Sequence, residues 1–102
     1  MSAYEVILSA PALADLEQLE DFIAEHAGER IATEYTARIR AKLATLAAAP
    51  FRGTERPEIG KGFRSFGFEK RATILVRVER GAKRVTVAGV FYGGRKVRLR
   101  EE

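Results

Sequence analysis

Few residues in this chain are equipped for covalent chemistry. The sequence has no cysteine, which excludes disulfides, zinc–thiolate sites and cysteine nucleophiles, and its one histidine is His26. No metal site is expected, because His26 has no second ligand at a matching spacing. Asp15, Glu17, Asp21 and Glu25 recur at helical spacing, which indicates the solvated face of an amphipathic helix. We expect His26 to be exposed near the end of this helix, far from the basic residues described next.

The remaining chemically distinctive side chains are cations, and they are concentrated in the second half of the chain. Residues 61–102 carry twelve Lys or Arg against four acids, whereas residues 1–28 carry six acids and no Lys or Arg. This asymmetry predicts a basic working surface for nucleic acid or for an acidic protein segment. The segment Gly93-Gly94-Arg95-Lys96 follows a predicted strand but lacks the spacing of a phosphate-binding loop. The basic residues considered are Lys61, Arg64, Lys70, Arg71, Arg77, Arg95, Lys96, Arg98 and Arg100.

The sequence between and around these residues predicts the elements that position them. Residues 4–8 alternate like a short strand, and Ser9 then caps a helix that has Pro11 in its first turn. Gly28 ends this helix, and a second helix with a long apolar face runs on to Pro50. The short connection predicts an antiparallel helix hairpin. A loop over 50–62 follows, and then three strands at 63–68, 72–79 and 84–92.

The element order β-α-α-β-β-β predicts an α+β, two-layer fold. An N-terminal strand and the helix hairpin pack on a mostly antiparallel four-stranded sheet. Residues 1–102 are predicted to form a single domain, with 93–102 as a basic C-terminal tail. A short strand, a last helical turn and disorder all remain open for this tail. No stretch approaches the roughly 18 apolar residues of a membrane span and no signal peptide is evident, so the default compartment is the cytoplasm.

Period-two alternation sorts the strand residues onto two faces of the sheet. The helices are expected to cover the face with Ile74, Val76, Val78, Val85, Val87 and Phe91. The opposite face is expected to carry Arg64, Phe66, Thr73, Leu75, Arg77, Thr86, Ala88, Val90 and Tyr92. Because that face mixes cations with apolar and aromatic groups, we interpret it as a docking surface. In the alternative interpretation, the tail or a dimer partner covers it.

Several local patterns, in this order, carry a resemblance to a known family. The segments are Tyr4 to Ser9 ahead of Ala12, Asp15 and Leu16; Leu46 with Pro50-Phe51-Arg52-Gly53; Gly62 to Phe66; Ile74 to Val78; and Val87 to Lys96. Together they resemble the RelE/ParE toxin family over nearly the whole chain. The resemblance implies one of two activities: RelE-like members cut mRNA on the ribosome, and ParE-like members poison DNA gyrase.

The resemblance also implies partners. Toxins of both kinds are neutralised by a cognate antitoxin, here a ParD-like one, which forms a hetero-oligomer with the toxin. Operator DNA is then contacted only indirectly, through the antitoxin. The resemblance implies neither a cofactor nor a membrane. Antitoxin contacts are expected at Phe66, Leu75, Arg77 and Val90, with acidic antitoxin groups meeting the cations.

The residue types favour the ParE-like branch. A ribonuclease needs acid–base groups and several cations around one phosphate. Where the resemblance implies two of those cations, this chain has Phe66 and Thr73, and Tyr92 stands where many members carry a histidine. We therefore expect no catalytic residue and a gyrase-directed toxin. The expected target-binding residues are Arg64, Arg77, Tyr92, Arg95, Lys96, Arg98 and Arg100.

Two other interpretations stay open. A ribosome-dependent mRNA endonuclease would use Arg64, Arg77, Tyr92 and Arg95 as its catalytic residues. A toxin fold that has lost its toxicity would persist as a binding module. For the cationic tail itself, a solubilising role is the alternative to target binding.

Overall fold

The computed structural model describes residues 3–100 and contains two helices packed on a mixed sheet. The predicted α+β class is confirmed, although the sheet has five strands rather than four. The additional strand is a two-residue segment inside the loop predicted over 50–62. The elements are β1 Glu5–Leu8, α1 Ala10–Ala27, α2 Glu29–Ala44, a 3₁₀ turn Thr45–Ala47, β2 Thr54–Glu55, β3 Phe63–Phe68, β4 Ala72–Glu79 and β5 Arg84–Tyr92.

The helix hairpin begins and turns at the residues that the sequence indicates. The Ser9 hydroxyl accepts a hydrogen bond from the Ala12 N–H at 3.2 Å, and Pro11 occupies the first turn of α1. Gly28 separates the helices with a φ of +99°, and its N–H donates to the carbonyl oxygen of Ala24 at 3.0 Å. A positive φ of this size is a glycine conformation. One residue is therefore enough to turn the chain between α1 and α2.

The strands lie in the order β1-β5-β4-β3-β2. β1 pairs with β5 in parallel, with Val6 opposite Val85 and Leu8 opposite Val87. The other neighbouring strands are antiparallel. The N-terminal strand thus lies beside the last strand of the sheet.

A β-bulge between β4 and β5 changes which side chains share a face. Leu75 is opposite Gly89, whereas the next residue, Val76, is opposite Val87, so the register shifts by one residue at Ala88. On β4, and on β5 up to Ala88, the predicted alternation holds, whereas on β3 Arg64 and Phe66 lie on the helix side instead of the predicted opposite face. After the bulge, Val90 joins the core beneath the helices and Phe91 lies on the other side. Tyr92 follows on the helix side, so the predicted faces of Val90, Phe91 and Tyr92 are wrong.

Apolar side chains cover both faces of the sheet. On the helix face, fully buried side chains form the main core: Leu16, Ile39, Leu46, Ile74, Val76, Val85 and Val87. On the opposite face, called the tail face here, Phe63, Leu75, Ala88 and Phe91 form a smaller cluster, against which Ile59 and Val97 pack. Each fully buried aliphatic or Phe side chain contributes about 1.5–3 kcal/mol. Within residues 3–100, neither helix has the length and apolar character needed to cross a membrane.

Candidate functional site

The C-terminal segment 95–100 lies against the tail face without regular secondary structure. Val97 packs on the cluster that contains Phe91, and the Arg100 guanidinium carbon is 4.8 Å from the centroid of the Phe91 ring. Of the alternatives for the second face, the structure matches the one in which the tail covers it. Arg95, Lys96 and Arg98 remain exposed along the segment.

Asp15 holds this segment in place. Arg100 donates two hydrogen bonds to its carboxylate, Nη1 to Oδ1 at 2.7 Å and Nη2 to Oδ2 at 2.5 Å. The backbone N–H of Val90 donates to Oδ2 at 2.8 Å. The hydrogen bonds from Arg100 to Asp15 raise the pKa of the guanidinium. Asp15 is only 8% exposed, so its predicted place on a solvated helix face is wrong.

Three of the four predicted antitoxin contacts are buried. Leu75 lies on the predicted face but is completely covered there. Phe66 pairs with Ile74 and, like Val90, belongs to the core on the helix face. The expectation that Phe66, Leu75 and Val90 are exposed is therefore wrong. The bulge turns Val90 toward the helices, and the β3–β4 register puts Phe66 on the same side. Leu75 is buried in the tail-face cluster, against which Ile59 and Val97 pack. Arg77, the fourth residue, is exposed.

The four residues of the nuclease alternative do not meet at one point. Arg77 is opposite Thr86 near one end of the β4–β5 ladder, and Tyr92 is opposite Ala72 at the other end. Five residues of strand separate these positions, which corresponds to about 17 Å. Tyr92 also packs on the helix-face core, whereas Arg77 is opposite Phe63 on the tail face. A single phosphate cannot contact both side chains.

Arg64 and Arg77 line one groove at the β4–β5 turn end of the sheet, which we call the Arg77 groove. Its volume is about 850 Å³. Arg64 pairs with Val76, so it does not share a face with Arg77 as predicted, but both reach the groove. The lining residues are Phe51, Glu55, Pro57, Gly60, Lys61, Gly62, Phe63, Arg64, Arg77, Val78, Glu79, Arg80 and Gly81.

Tyr92 and Arg95 line a smaller pocket of about 240 Å³ at the far end of β5, together with Asp15, Gln18 and Phe22. The Tyr92 ring is edge-on to Phe22, with 6.0 Å between the ring centroids. Phe22 is 47% exposed, so an aromatic surface is open to a partner here.

A neighbouring pocket of about 450 Å³ brings His26 and Tyr92 together with Arg71. A hydrogen bond with Tyr92 raises the pKa of Arg71. His26 is exposed, as expected, and its Nδ1 lies 2.8 Å from the carbonyl oxygen of Phe22. The expectation that His26 is far from the basic residues is wrong, since it lines this pocket together with Arg71.

Tyr35 forms the inner wall of the same pocket. Its hydroxyl is buried and has no hydrogen-bond partner among the described residues. Burial raises the pKa of Tyr35. Arg71 and Tyr35 are absent from the predicted site, because neither contributes to a recognisable motif. No group of three or more His, Asp or Glu side chains in residues 3–100 is arranged to hold a metal ion.

The fold is shared with toxins of known structure. A chain of the chromosomal ParDE TA system from P. aeruginosa superposes with a TM-score of 0.75 at 20% identity, over 88% of this chain and 96% of that chain. A chain of a RelBE toxin–antitoxin complex from Mycobacterium tuberculosis gives 0.64 at 22% identity, over 93% and 97%. The isolated E. coli RelE toxin gives 0.63 at 15% identity, over 92% and 88%. These similarities define a RelE/ParE-like fold.

The family follows from the sequence match. No curated protein matches the chain in sequence. The sequence model of the family described as ParE toxin of type II toxin-antitoxin system, parDE, matches residues 6–97. The chain therefore belongs to the ParE family of type II toxins.

Proposed function

We propose that this toxin stops growth by binding DNA gyrase and holding the enzyme in its cleaved-DNA state. The toxin itself breaks no bond. The observation that carries the proposal is the separation of Arg64 and Arg77 from Tyr92 and Arg95, which deprives a nuclease of a common phosphate site. Membership of the ParE family supports the same conclusion.

The exposed cations of the tail are the proposed contact with the target. Val97 and Arg100 face the protein, whereas Arg95, Lys96 and Arg98 are exposed to solvent before and between these two residues. Because Val97 and Arg100 hold the segment against the protein before binding, less conformational entropy is lost when a partner binds. Exposed cations on such a segment suit acidic protein groups or DNA phosphates. In this arrangement Arg100 positions the tail instead of contacting the target.

A cognate ParD-like antitoxin is the proposed partner in a hetero-oligomer. Apolar side chains exposed on the two helices, Leu13, Phe22 and Ile31, offer contacts for an amphipathic antitoxin segment. Arg77 is available for an acidic antitoxin residue. We expect operator DNA to be reached through the antitoxin, and we place the toxin in the cytoplasm because gyrase and its DNA are there.

A plasmid assay with purified gyrase tests the proposal. Supercoiled plasmid should become linear when gyrase and toxin are both present and should stay intact with toxin alone. Lys96→Gln/Arg98→Gln should weaken this effect by about tenfold or more, since two exposed charges are lost. Arg30→Gln/Arg40→Gln removes the same charge from exposed positions on α2 and should leave the effect within about twofold. Uncut plasmid and unimpaired supercoiling with wild-type toxin would refute the gyrase proposal.

The ribosome-dependent nuclease remains the second candidate, because His26, Tyr92 and Arg71 share one pocket. Such a nuclease should leave cleaved transcripts in translating cells. Tyr92→Phe should then abolish toxicity, whereas a gyrase poison should tolerate the loss of one hydroxyl. Arg71→Gln should likewise abolish toxicity under the nuclease mechanism, but not under the gyrase mechanism.

A growth assay tests the toxin–antitoxin assignment separately. Expression of the chain alone should arrest growth, and co-expression with a ParD-like neighbouring gene should restore it. Growth without arrest would favour a toxin fold that has lost its toxicity.

A further inference from the structure

The Arg77 groove contains cations that no carboxylate neutralises. Lys61, Arg77 and Arg80 are exposed, and none has a carboxylate oxygen within 4.0 Å in residues 3–100. Within the groove only Arg64 has a carboxylate nearby, with its Nη1 3.9 Å from an oxygen of Glu55. Unpaired cations gathered along one concavity raise the local concentration of anions.

Planar surfaces accompany these charges. The Arg80 guanidinium carbon lies 4.3 Å from the centroid of the Phe51 ring, and Phe51 is 39% exposed. The Arg77 guanidinium carbon lies 6.0 Å from the centroid of the Phe63 ring. Guanidinium groups over aromatic rings offer flat faces on which unpaired bases stack.

The rest of the groove has a fixed arginine side chain and glycines that leave room for a bound strand. Arg64 donates from Nε to the carbonyl oxygen of Arg52 at 3.2 Å and from Nη2 to that of Gly53 at 2.8 Å, which fixes its position. Gly62 has a φ of +85°, and a Cβ there would be 2.8 Å from the Val78 carbonyl oxygen. Backbone without side chains at Gly62 and Gly81 lets a ligand approach closely.

We propose that the Arg77 groove binds single-stranded nucleic acid, with its phosphates at Lys61, Arg77 and Arg80 and a base stacked at Arg80 and Phe51. Glu55 and Glu79 also line the groove, but with Arg64 the four cations outnumber the two acids. An acidic peptide would meet the cations and leave the flat guanidinium and ring faces unused. This contact is additional to gyrase binding and requires no gyrase.

Fluorescence anisotropy with the full chain and a labelled single strand of about 12 nucleotides tests the proposal without gyrase. Arg77→Gln/Arg80→Gln should raise the dissociation constant about tenfold or more. The slope of log affinity against log salt is negative, and it should become less steep by about 1.4 because two phosphate contacts are lost. Arg30→Gln/Arg40→Gln, with the same loss of charge on α2, should change the dissociation constant by about twofold at most.

Two further measurements test whether a base stacks in the groove. Arg80→Lys keeps the charge and removes the planar group, so it should weaken binding without changing the salt slope. A duplex of the same sequence should bind more weakly than the single strand, since its bases cannot stack on the protein. DNA and RNA strands are both titrated. Comparable affinity supports a contact made through phosphates and base stacking, which both strands offer. A preference for one strand identifies that nucleic acid as the ligand of the groove.

Three results would overturn the proposal. The first is unchanged affinity in Arg77→Gln/Arg80→Gln, provided that its thermal unfolding matches wild type. The second is an equal loss in the α2 control variant, which would indicate net charge alone. The third is loss of binding in Lys96→Gln/Arg98→Gln with the groove variant intact, which would place the strand on the tail.

Discussion

Asp15 of α1 and Arg100 of the tail, 85 positions apart in the chain, form a two-point ion pair over β5. The side chains are only 7% and 23% exposed, so water screens the pair weakly. The same carboxylate accepts the backbone N–H of Val90, which follows the bulge. One side chain thus connects a helix, a strand and the tail.

Removing Arg100 should destabilise the protein. In Arg100→Ala the Asp15 carboxylate stays buried with one donor, and the free energy of unfolding should fall by about 2 kcal/mol. Urea unfolding measures the change. Arg98→Ala, at an exposed position in the same segment, should change it by less than about 0.5 kcal/mol. Equal values for the two variants would show that the ion pair contributes nothing.

Adding one methyl group at Gly89 should dislodge the tail. A Cβ there would lie 2.6 Å from Arg100 Nη2 and 2.7 Å from the Phe91 ring. Overpacking of this kind costs about 1–3 kcal/mol. Gly89→Ala should therefore lower the unfolding free energy and expose the tail to limited proteolysis. Gly81→Ala is the matched control, because a Cβ there meets nothing within 4 Å. Full protection of the tail in Gly89→Ala would contradict the geometry.

Tyr35→Phe should stabilise the protein. The buried hydroxyl of Tyr35 has no partner in the described part of the chain, while its ring packs edge-on against Phe68 at 5.6 Å between centroids. Phe keeps the ring contact and removes the desolvated group, so the unfolding free energy should rise by about 1 kcal/mol. Tyr4→Phe, at a half-buried ring, should have an effect within about 0.5 kcal/mol. Destabilisation by Tyr35→Phe would mean that the hydroxyl has a partner such as water.

The Arg38–Glu69 pair should contribute an acid-dependent part of the stability. Arg38 donates to both oxygens of Glu69, at 2.7 and 2.9 Å, and these hydrogen bonds lower the pKa of Glu69 below 4.5. A lowered carboxyl pKa stabilises the folded state above the ordinary value, and this contribution is lost as pH falls through the folded-state pKa. The difference in unfolding free energy between wild type and Glu69→Gln should therefore be constant above about pH 5.5 and shrink as pH falls below about 4.5.

A double-mutant cycle isolates this pair. In an Arg38→Gln background, Glu69→Gln should no longer change the acid dependence of unfolding. Because both side chains are partly exposed, added salt should reduce the difference. An acid dependence that survives in Arg38→Gln would assign it to another carboxylate.

Much of the fold is predictable because local residues specify it. Ser9, Pro11 and Gly28 mark the ends of α1, and each acts through its own backbone geometry. The bulge at Ala88 is different, since it depends on how β5 meets β4 and leaves no local signal in a run of Val, Ala and Gly. The wrong faces for Val90, Phe91 and Tyr92 follow from this shift by one residue.

The candidate site was less predictable for a related reason. Arg77 and Tyr92 are both near strand ends, but whether they meet depends on the antiparallel register, which places them at opposite ends of the ladder. Asp15 follows Ala12 by three residues on the buried side of α1, and this spacing was the available sign of its burial. Its partner, Arg100, lies in a segment without periodicity, so the ion pair could not be predicted.

The parallel pairing of β1 with β5 also has a consequence for how the molecule assembles. Residues 5–8 can hydrogen-bond within the sheet only after residues 84–87 have been synthesised. The contact between β1 and β5, which spans most of the chain, therefore forms last during synthesis. Until then the helix hairpin has no complete sheet to cover its apolar side. A nascent chain would therefore remain incompletely folded, and its mature surfaces would form only after residues 84–87 had emerged from the ribosome.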